Sequence, residues 1–211
     1  STLFPYTTLF RSVDLYQHHY PANRVDIGRL MELMADAVEA GKVRAVGVSN
    51  YSANQMRIAH AALAGRGVPL ASNQVQYSLL RRQPETNGVL DTCRELEVTL
   101  IAYQPLASGA LTGKYLAGAR PRGLRRFMPL FRRSRRESVA SVVALLREIG
   151  DGHGTGPTQV ALRWLIENDS VLPIPGAKNG TQARANAQAL AITLAPDEIE
   201  ALTRATRAWR D

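Results

Sequence analysis

The length of 211 residues is typical of one domain, and a hydrophobic content of 45% is enough for a buried core. The single cysteine excludes a disulfide within the chain, which favours a reducing, cytoplasmic setting. No apolar run approaches the roughly 20 residues that span a bilayer, and no secretory signal is recognisable, so we expect no membrane association.

The first residues do not read as part of the domain. Residues 1–12 contain the string TLFPYTTLFRS, which is similar to the in-frame translation of a common sequencing-library adapter. Such a stretch is excluded from fold reasoning, as an expression scar would be. We therefore expect the native domain to occupy residues 13–211, with the gene joined to adapter sequence at Val13.

From Val13 onward, short apolar runs alternate with amphipathic stretches, a pattern that predicts βα units in series. Gly41 stands where a helix should end, and Ser52 with Gln55 is typical of a capping box that opens the next helix. The predicted strands are Val13–Gln17, Val43–Val48, Leu70–Val75, Val98–Tyr103 and Val171–Ile174. The predicted helices are 27–40, 53–64, 86–97, 138–149, 158–167, Gln182–Leu190 and Pro196–Trp209, with a short helical turn near Leu111–Leu116.

Two of these helices have a predicted buried face. The residues expected to face inward are Ile27, Leu30, Met34 and Val38 in the first helix, and Val89, Leu90, Cys93 and Leu96 in the third. Alternating βα units are compatible with either a doubly wound sheet or a (β/α)8 barrel. A barrel has eight units in roughly 250 residues, so five strands here would leave about three units missing at the front.

The net charge of +8 is concentrated in the long irregular segment from Gln104 to Arg136. Three interpretations stay open for it: a solvated loop, an anion site for a phosphate-bearing ligand, or a nucleic-acid surface. The third is the weakest, because stacking aromatic residues and a nucleic-acid fold motif are lacking, and no nucleic-acid partner is expected. The arginines concerned are Arg120, Arg122, Arg125, Arg126, Arg132, Arg133, Arg135 and Arg136.

Five motifs in order decide between the two folds. They are DLYQHHYP (14–21), GKVRAVGVSN (41–50), NQVQYSLL (73–80), AYQPLASGALTGKY (102–115) and VLPIPGAKN (171–179). Together they resemble the last five βα units of the aldo-keto reductase family. The resemblance implies an α/β fold, a partial (β/α)8 TIM barrel, that binds NADPH at the carboxyl ends of its strands and reduces aldehydes or ketones. It also implies a small-molecule carbonyl substrate, whereas the oligomeric state stays open.

The resemblance assigns site residues one by one. His19 matches the catalytic histidine that orients the carbonyl, although Tyr20 stands where tryptophan is usual, and His18 is assigned a structural role. The residues that match the cofactor site are Ser49, Asn50 and Gln74 for the carboxamide, Tyr103 for ring stacking, Gln104, Leu106 and Ser108 for the pyrophosphate, and Gly176, Lys178, Gln182 and Asn186 for the adenosine end. No metal is expected.

Two departures from the family pattern bear on these assignments. Gln104 and Ala185 stand where the family often has serine and glutamate, respectively. The catalytic tyrosine, lysine and aspartate of the family lie in its first three units, and no residue here matches them. We therefore expect a fragment with little activity of its own; the alternative is a non-catalytic NADP(H)-binding or partner-docking module.

Overall fold

The computed structural model describes residues 12–21, 25–116, 123 and 127–210. The adapter-like stretch, apart from Ser12, lies outside these residues, as do Arg120, Arg122, Arg125 and Arg126 of the arginine-rich segment. Five strands form one sheet in the order β1-β2-β3-β4-β5, and β1–β2 and β2–β3 pair in parallel. The strands are β1 Val13–His18, β2 Val43–Ser49, β3 Leu70–Gln76, β4 Thr99–Tyr103 and β5 Val171–Pro173.

Helices follow the strands as the alternating pattern predicts. The α-helices are α1 Ile27–Glu39, α2 Ala53–Ala64, α3 Val89–Glu95, α4 Arg136–Gly152, α5 Pro157–Ile166, α6 Gly180–Ala187 and α7 Pro196–Ala205. Single 3-10 turns cover Gln83–Glu85, Ala107–Thr112, Pro129–Phe131, Arg133–Arg135, Gln188–Ala191 and Arg207–Trp209. An α/β fold is thus confirmed, with each predicted element present.

The contacts divide the described residues into two compact units, the first within residues 1–75 and 87–100, and the second within residues 76–86 and 101–211. In the first unit, α1 packs against α2 and against β2. Gly41 has φ +68° after α1, and Ser52 and Gln55 form a reciprocal capping box at α2, so both local predictions are confirmed.

Two helices of the first unit differ in detail from their prediction. The fully buried side chains of α1 are Met31, Met34 and Ala35, whereas Ile27 and Leu30 are only half-buried, so the buried stripe is rotated from the predicted one. Helix α3 begins at Val89 rather than near residue 86, because Gly88 is left-handed at φ +80° and interrupts the helical backbone before it.

In the second unit, α4 packs against α5 and α7 around a core of branched aliphatic side chains. The predicted helical turn near Leu111 lies at Ala107–Thr112 instead. The predicted helix Pro196–Trp209 breaks at Thr206 into α7 and a 3-10 turn, and Gln182–Leu190 begins two residues early as α6.

A buried arginine joins the chain's end to the segment after β3. Arg82 is 1% exposed, and its guanidinium contacts Glu85 at 2.6 Å and 2.7 Å. It also donates to the Thr203 carbonyl oxygen at 2.6 Å and to Thr206 Oγ1 at 2.9 Å. The Arg82 backbone N–H donates to the Trp209 carbonyl oxygen at 2.7 Å. These bonds hold the last turn of the chain in place beside residues 77–86.

Candidate functional site

In the first unit, the polar residues predicted after β2 and in β3 contact one another. Ser49 Oγ donates to the Gln74 carbonyl oxygen at 2.8 Å, and the Asn50 backbone N–H donates to the same oxygen at 2.9 Å. Asn50 Nδ2 donates to Ser49 Oγ at 3.0 Å. Asn50 is left-handed at φ 61°, a conformation that asparagine tolerates and that turns its side chain back across the strand end.

Gln17 on β1 belongs to the same cluster, although the sequence analysis did not assign it to the site. Its Oε1 accepts from Gln74 Nε2 at 2.8 Å, and its Nε2 donates to Ser72 Oγ at 3.0 Å. The signal was present, because Gln17 and His19 share one face of β1 by two-residue alternation. Gly47 makes room for these amides, since a Cβ there would lie 2.3 Å from Ser72 Oγ.

The two histidines at the end of β1 have different surroundings. His19 is exposed, its ring lies edge-on to Tyr20, and its carbonyl oxygen accepts from Asn50 Nδ2 at 3.2 Å. The His18 Nδ1 atom lies 2.8 Å from the hydroxyl oxygen of Tyr51, which is buried. Burial first, and then the charge of His19, lower the pKa of His18. His18 is thus partly buried against Tyr51, whereas His19 is exposed and accessible to a ligand.

In the second unit, the residues predicted for the pyrophosphate follow β4 in a strained loop. Tyr103 is the last residue of β4 and is half-buried. Gln104, Ala107 and Ser108 all have positive φ, at 52°, 49° and 55°. Left-handed backbone costs non-glycine residues about 1 kcal/mol or more each and concentrates at functional sites. Leu106, also assigned to this loop, directly precedes its 3-10 turn as the N-cap residue.

The residues assigned to the adenosine end lie around the start of α6. The Lys178 backbone N–H donates to Gln182 Oε1 at 2.8 Å, and Asn179 caps α6 by accepting from the Gln182 backbone N–H at 3.0 Å. Lys178 is exposed, and nothing lies within 4 Å of a Cβ built on Gly176. Asn186 is half-buried near the end of the same helix. The predicted position of Lys178 near a helix start is thus correct.

The second unit also contains a cavity of about 270 Å3 that the sequence analysis did not predict. Its lining residues include Gln76, Gln104, Ser108, Arg81, Arg135 and Trp209. No local signal marks this group, since its members come from four separate segments of the chain. Among the described arginines of the predicted arginine-rich segment, Arg135 lines the cavity.

The described residues do not support a metal centre or a membrane span. They include no group of three or more histidine, cysteine, aspartate or glutamate side chains placed to hold a metal ion. Among the helices of the same residues, none has both the length and the apolar character that crossing a membrane requires.

Comparison with known proteins gives one consistent result. The family model described as "Aldo/keto reductase family" matches residues 8–207. An uncharacterised oxidoreductase of Mycobacterium tuberculosis is 41% identical over 199 residues, which cover 94% of this chain and 60% of the relative. The "Aldo-keto reductase yakc [NADP(+)]" of Schizosaccharomyces pombe is 33% identical, over 92% of this chain and 57% of its own length.

The solved structures agree with these sequence relatives. The glycerol dehydrogenase of Gluconobacter oxydans superposes with a TM-score of 0.85 and 25% identity, covering 95% of this chain and 61% of that one. This chain thus spans about three fifths of the length of the proteins it matches. Since the family model covers far more than half of the residues, the chain belongs to the aldo/keto reductase family.

Proposed function

We propose that this chain carries the cofactor-binding part of an NADPH-dependent reductase that converts aldehydes or ketones to alcohols. The observation that carries this proposal is the hydrogen-bonded cluster of Ser49, Asn50 and Gln74 at the carboxyl ends of β2 and β3. Strand carboxyl ends are where (β/α)8 barrels build their sites. The five strands are, in this proposal, part of such a barrel.

The cluster suits an amide ligand such as the nicotinamide carboxamide. A carboxamide needs an acceptor for its NH2 group and a donor for its oxygen, and glutamine and asparagine supply both. Gln74 Nε2 is committed to Gln17 Oε1, so Gln74 presents Oε1 as the acceptor. When bound, the cofactor supplies a hydride to the carbonyl carbon.

His19 is proposed to orient the substrate. It follows β1, is exposed, and its backbone is tied to Asn50 at 3.2 Å, so an imidazole N–H is available to donate to a carbonyl oxygen. Tyr103, ending β4, is proposed to pack against the nicotinamide ring, and Gln104, Leu106 and Ser108 to contact the pyrophosphate.

The preference for NADPH over NADH is proposed to come from the exposed Lys178. Its ammonium and the positive end of the helix dipole at the start of α6 favour a phosphate. Gly176 leaves the approach open, and Gln182 and Asn186 are proposed to contact the adenosine end. A relative whose name carries NADP(+) supports the same cofactor.

No residue of this chain matches the tyrosine, lysine and aspartate that complete the family's catalytic group. A missing general acid commonly costs about 10²–10⁴ in rate. We therefore expect cofactor binding with very slow turnover from this polypeptide alone. The alternative function is a non-catalytic NADP(H)-binding or partner-docking module on the same scaffold. In that case the full-length gene product would also lack the catalytic tyrosine, lysine and aspartate.

The test is a titration of NADPH fluorescence, followed by NADPH oxidation with a generic aldehyde. Replacing Gln74 with leucine removes the acceptor and should weaken NADPH binding about tenfold, whereas Gln55→Leu, in the capping box of α2, should leave it unchanged. Equal affinity of the Gln74→Leu and unaltered chains would reject the carboxamide assignment. Robust turnover by the unaltered chain would reject the expectation of slow chemistry.

A further inference from the structure

The cavity of the second unit is positively charged. Arg81 and Arg135 both line it, and none of its lining residues in the described part of the chain carries a carboxylate. The ion pairs of the described residues engage many other arginines, including Arg44, Arg57 and Arg82, but neither of these two. Two guanidinium groups at a concave site attract anions when, as among the described residues here, neither has an acidic partner.

Arg135 is held in one orientation. Its guanidinium carbon lies 4.7 Å from the centroid of the Trp209 ring, which is a cation–π contact. Trp209 in turn is fixed, since its carbonyl oxygen accepts from the Arg82 backbone N–H and Arg82 is buried among Glu85 and α7. A cation that is already oriented loses less entropy when it pairs with a ligand.

Amide and hydroxyl side chains line the same cavity. Gln104 Oε1 accepts from Gln76 Nε2 at 2.9 Å and from Ser108 Oγ at 3.3 Å. With its oxygen committed in this way, Gln104 has Nε2 as its donor toward a ligand. Amide donors and guanidinium groups together are the chemistry that recognises a carboxylate or phosphate.

We propose that this cavity binds the carboxylate or phosphate of a flat organic anion, with Arg81 and Arg135 on the anionic group and Trp209 beside the ring. A volume of about 270 Å3 admits one substituted ring. This proposal goes beyond the reductase function, and the binding does not depend on it. Its consequence for specificity, a preference for acidic carbonyl substrates over neutral ones, rests on the proposed function.

The two tryptophans give the test a built-in reference. Benzoate, phenyl phosphate and uncharged benzyl alcohol are titrated into the full chain labelled with 15N, and the indole N–H signals are followed by NMR. The Trp209 signal should move with both anions and hardly at all with benzyl alcohol. The Trp164 indole N–H, which donates to Thr203 Oγ1 at 3.3 Å and does not line the cavity, should stay.

Single substitutions test whether benzoate binds at this cavity or responds only to the net positive charge of the chain. Arg135→Met and Arg81→Met should each weaken benzoate binding about fivefold, and raising the salt concentration should weaken binding to the unaltered chain. Arg94→Met removes an equal charge from an exposed position in the first unit and should have no effect. An unmoved Trp209 signal, or equal losses in Arg135→Met and Arg94→Met, would overturn the proposal. An unchanged Trp164 signal verifies that each variant is folded.

A second arm distinguishes a substrate anion from a phosphate of the dinucleotide. If benzoate still binds to the chain saturated with NADP+, and Arg135→Met leaves NADP+ affinity unchanged, the anion site serves a separate ligand. If NADP+ displaces benzoate and Arg135→Met weakens NADP+, the site belongs to the cofactor and the acidic-substrate preference is rejected. Absence of aldehyde turnover would count against the reductase function and would leave these binding results intact.

Discussion

Replacing Arg82 with methionine should destabilise the chain more than any replacement of a surface arginine. The change removes two short bonds to Glu85, one to the Thr203 carbonyl oxygen and one to Thr206 Oγ1. Loss of one partner from a buried ion pair typically costs 3–5 kcal/mol, because the other charge stays buried. Glu85 would keep Arg210 at 2.9 Å and the Tyr77 hydroxyl at 3.0 Å, so we expect the lower end, about 3 kcal/mol.

The assay is urea unfolding followed by circular dichroism and by tryptophan fluorescence, since Trp164 lies 5.1 Å from the Arg82 guanidinium carbon. For a chain of this size, about 3 kcal/mol corresponds to a fall of roughly 6–12 °C in Tm. The matched control is Arg204→Met, whose ion pair with Glu200 is more than 70% exposed on both sides and should contribute less than about 0.5 kcal/mol.

A double variant tests the reason for the loss. In the double variant Arg82→Met/Glu85→Leu, no charged side chain is left buried without its main partner. The decrease in the free energy of unfolding should therefore be smaller than in Arg82→Met alone. A loss in Arg82→Met no greater than in Arg204→Met would refute the reasoning. So would a double variant that is less stable than the single one.

Three further predictions follow from single contacts. Desolvation raises the pKa of Glu85, but hydrogen bonds from Arg82, Arg210 and Tyr77 outweigh this effect and hold the pKa below its ordinary range. The free energy of unfolding should therefore fall as the pH drops below about 4.3. In urea titrations at several pH values, Glu85→Gln should make this pH dependence weaker. Burial raises the pKa of Cys93 to about 12, so a thiol reagent such as 5,5′-dithiobis(2-nitrobenzoate) should react with it only after urea unfolds the chain, and prompt reaction of the folded chain would contradict its burial. Gly47→Ala should cost about 1–3 kcal/mol in the same urea assay because its Cβ would clash with Ser72 Oγ, whereas Gly152→Ala, with nothing within 4 Å of its Cβ, should be neutral or stabilising.

Features specified by neighbouring residues were predictable from the sequence. Gly41 directly follows the helix that it ends, and Ser52 and Gln55 are three residues apart, so the end of α1 and the capping box of α2 were predicted correctly. A polar residue at the end of an apolar run is also a local pattern. This pattern correctly predicted that Ser49, Asn50 and Gln104 lie at strand ends. Their roles toward a cofactor stay predictions.

Features specified by distant residues were not predictable. The buried face of α1 is set by packing against α2, so Met31 replaces Ile27 at its centre. Arg82 is as polar as any surface residue, and its burial depends on Thr203 and Thr206, more than 120 residues later. The cavity between Gln76 and Trp209 has the same origin, since its walls come from segments with no common sequence pattern.

The burial of Arg82 connects stability with recognition in the second unit. Because its backbone N–H holds the Trp209 carbonyl oxygen while its guanidinium holds α7, one residue determines where the chain's last turn lies. Trp209 then fixes Arg135, the arginine proposed to meet the anion. Substituting Arg82 should therefore weaken benzoate binding even under conditions in which the variant is fully folded, whereas an equally destabilising change away from this contact, such as Gly47→Ala, should leave benzoate affinity intact. Equal affinities in the two variants would show that the cavity forms without the Arg82 contact.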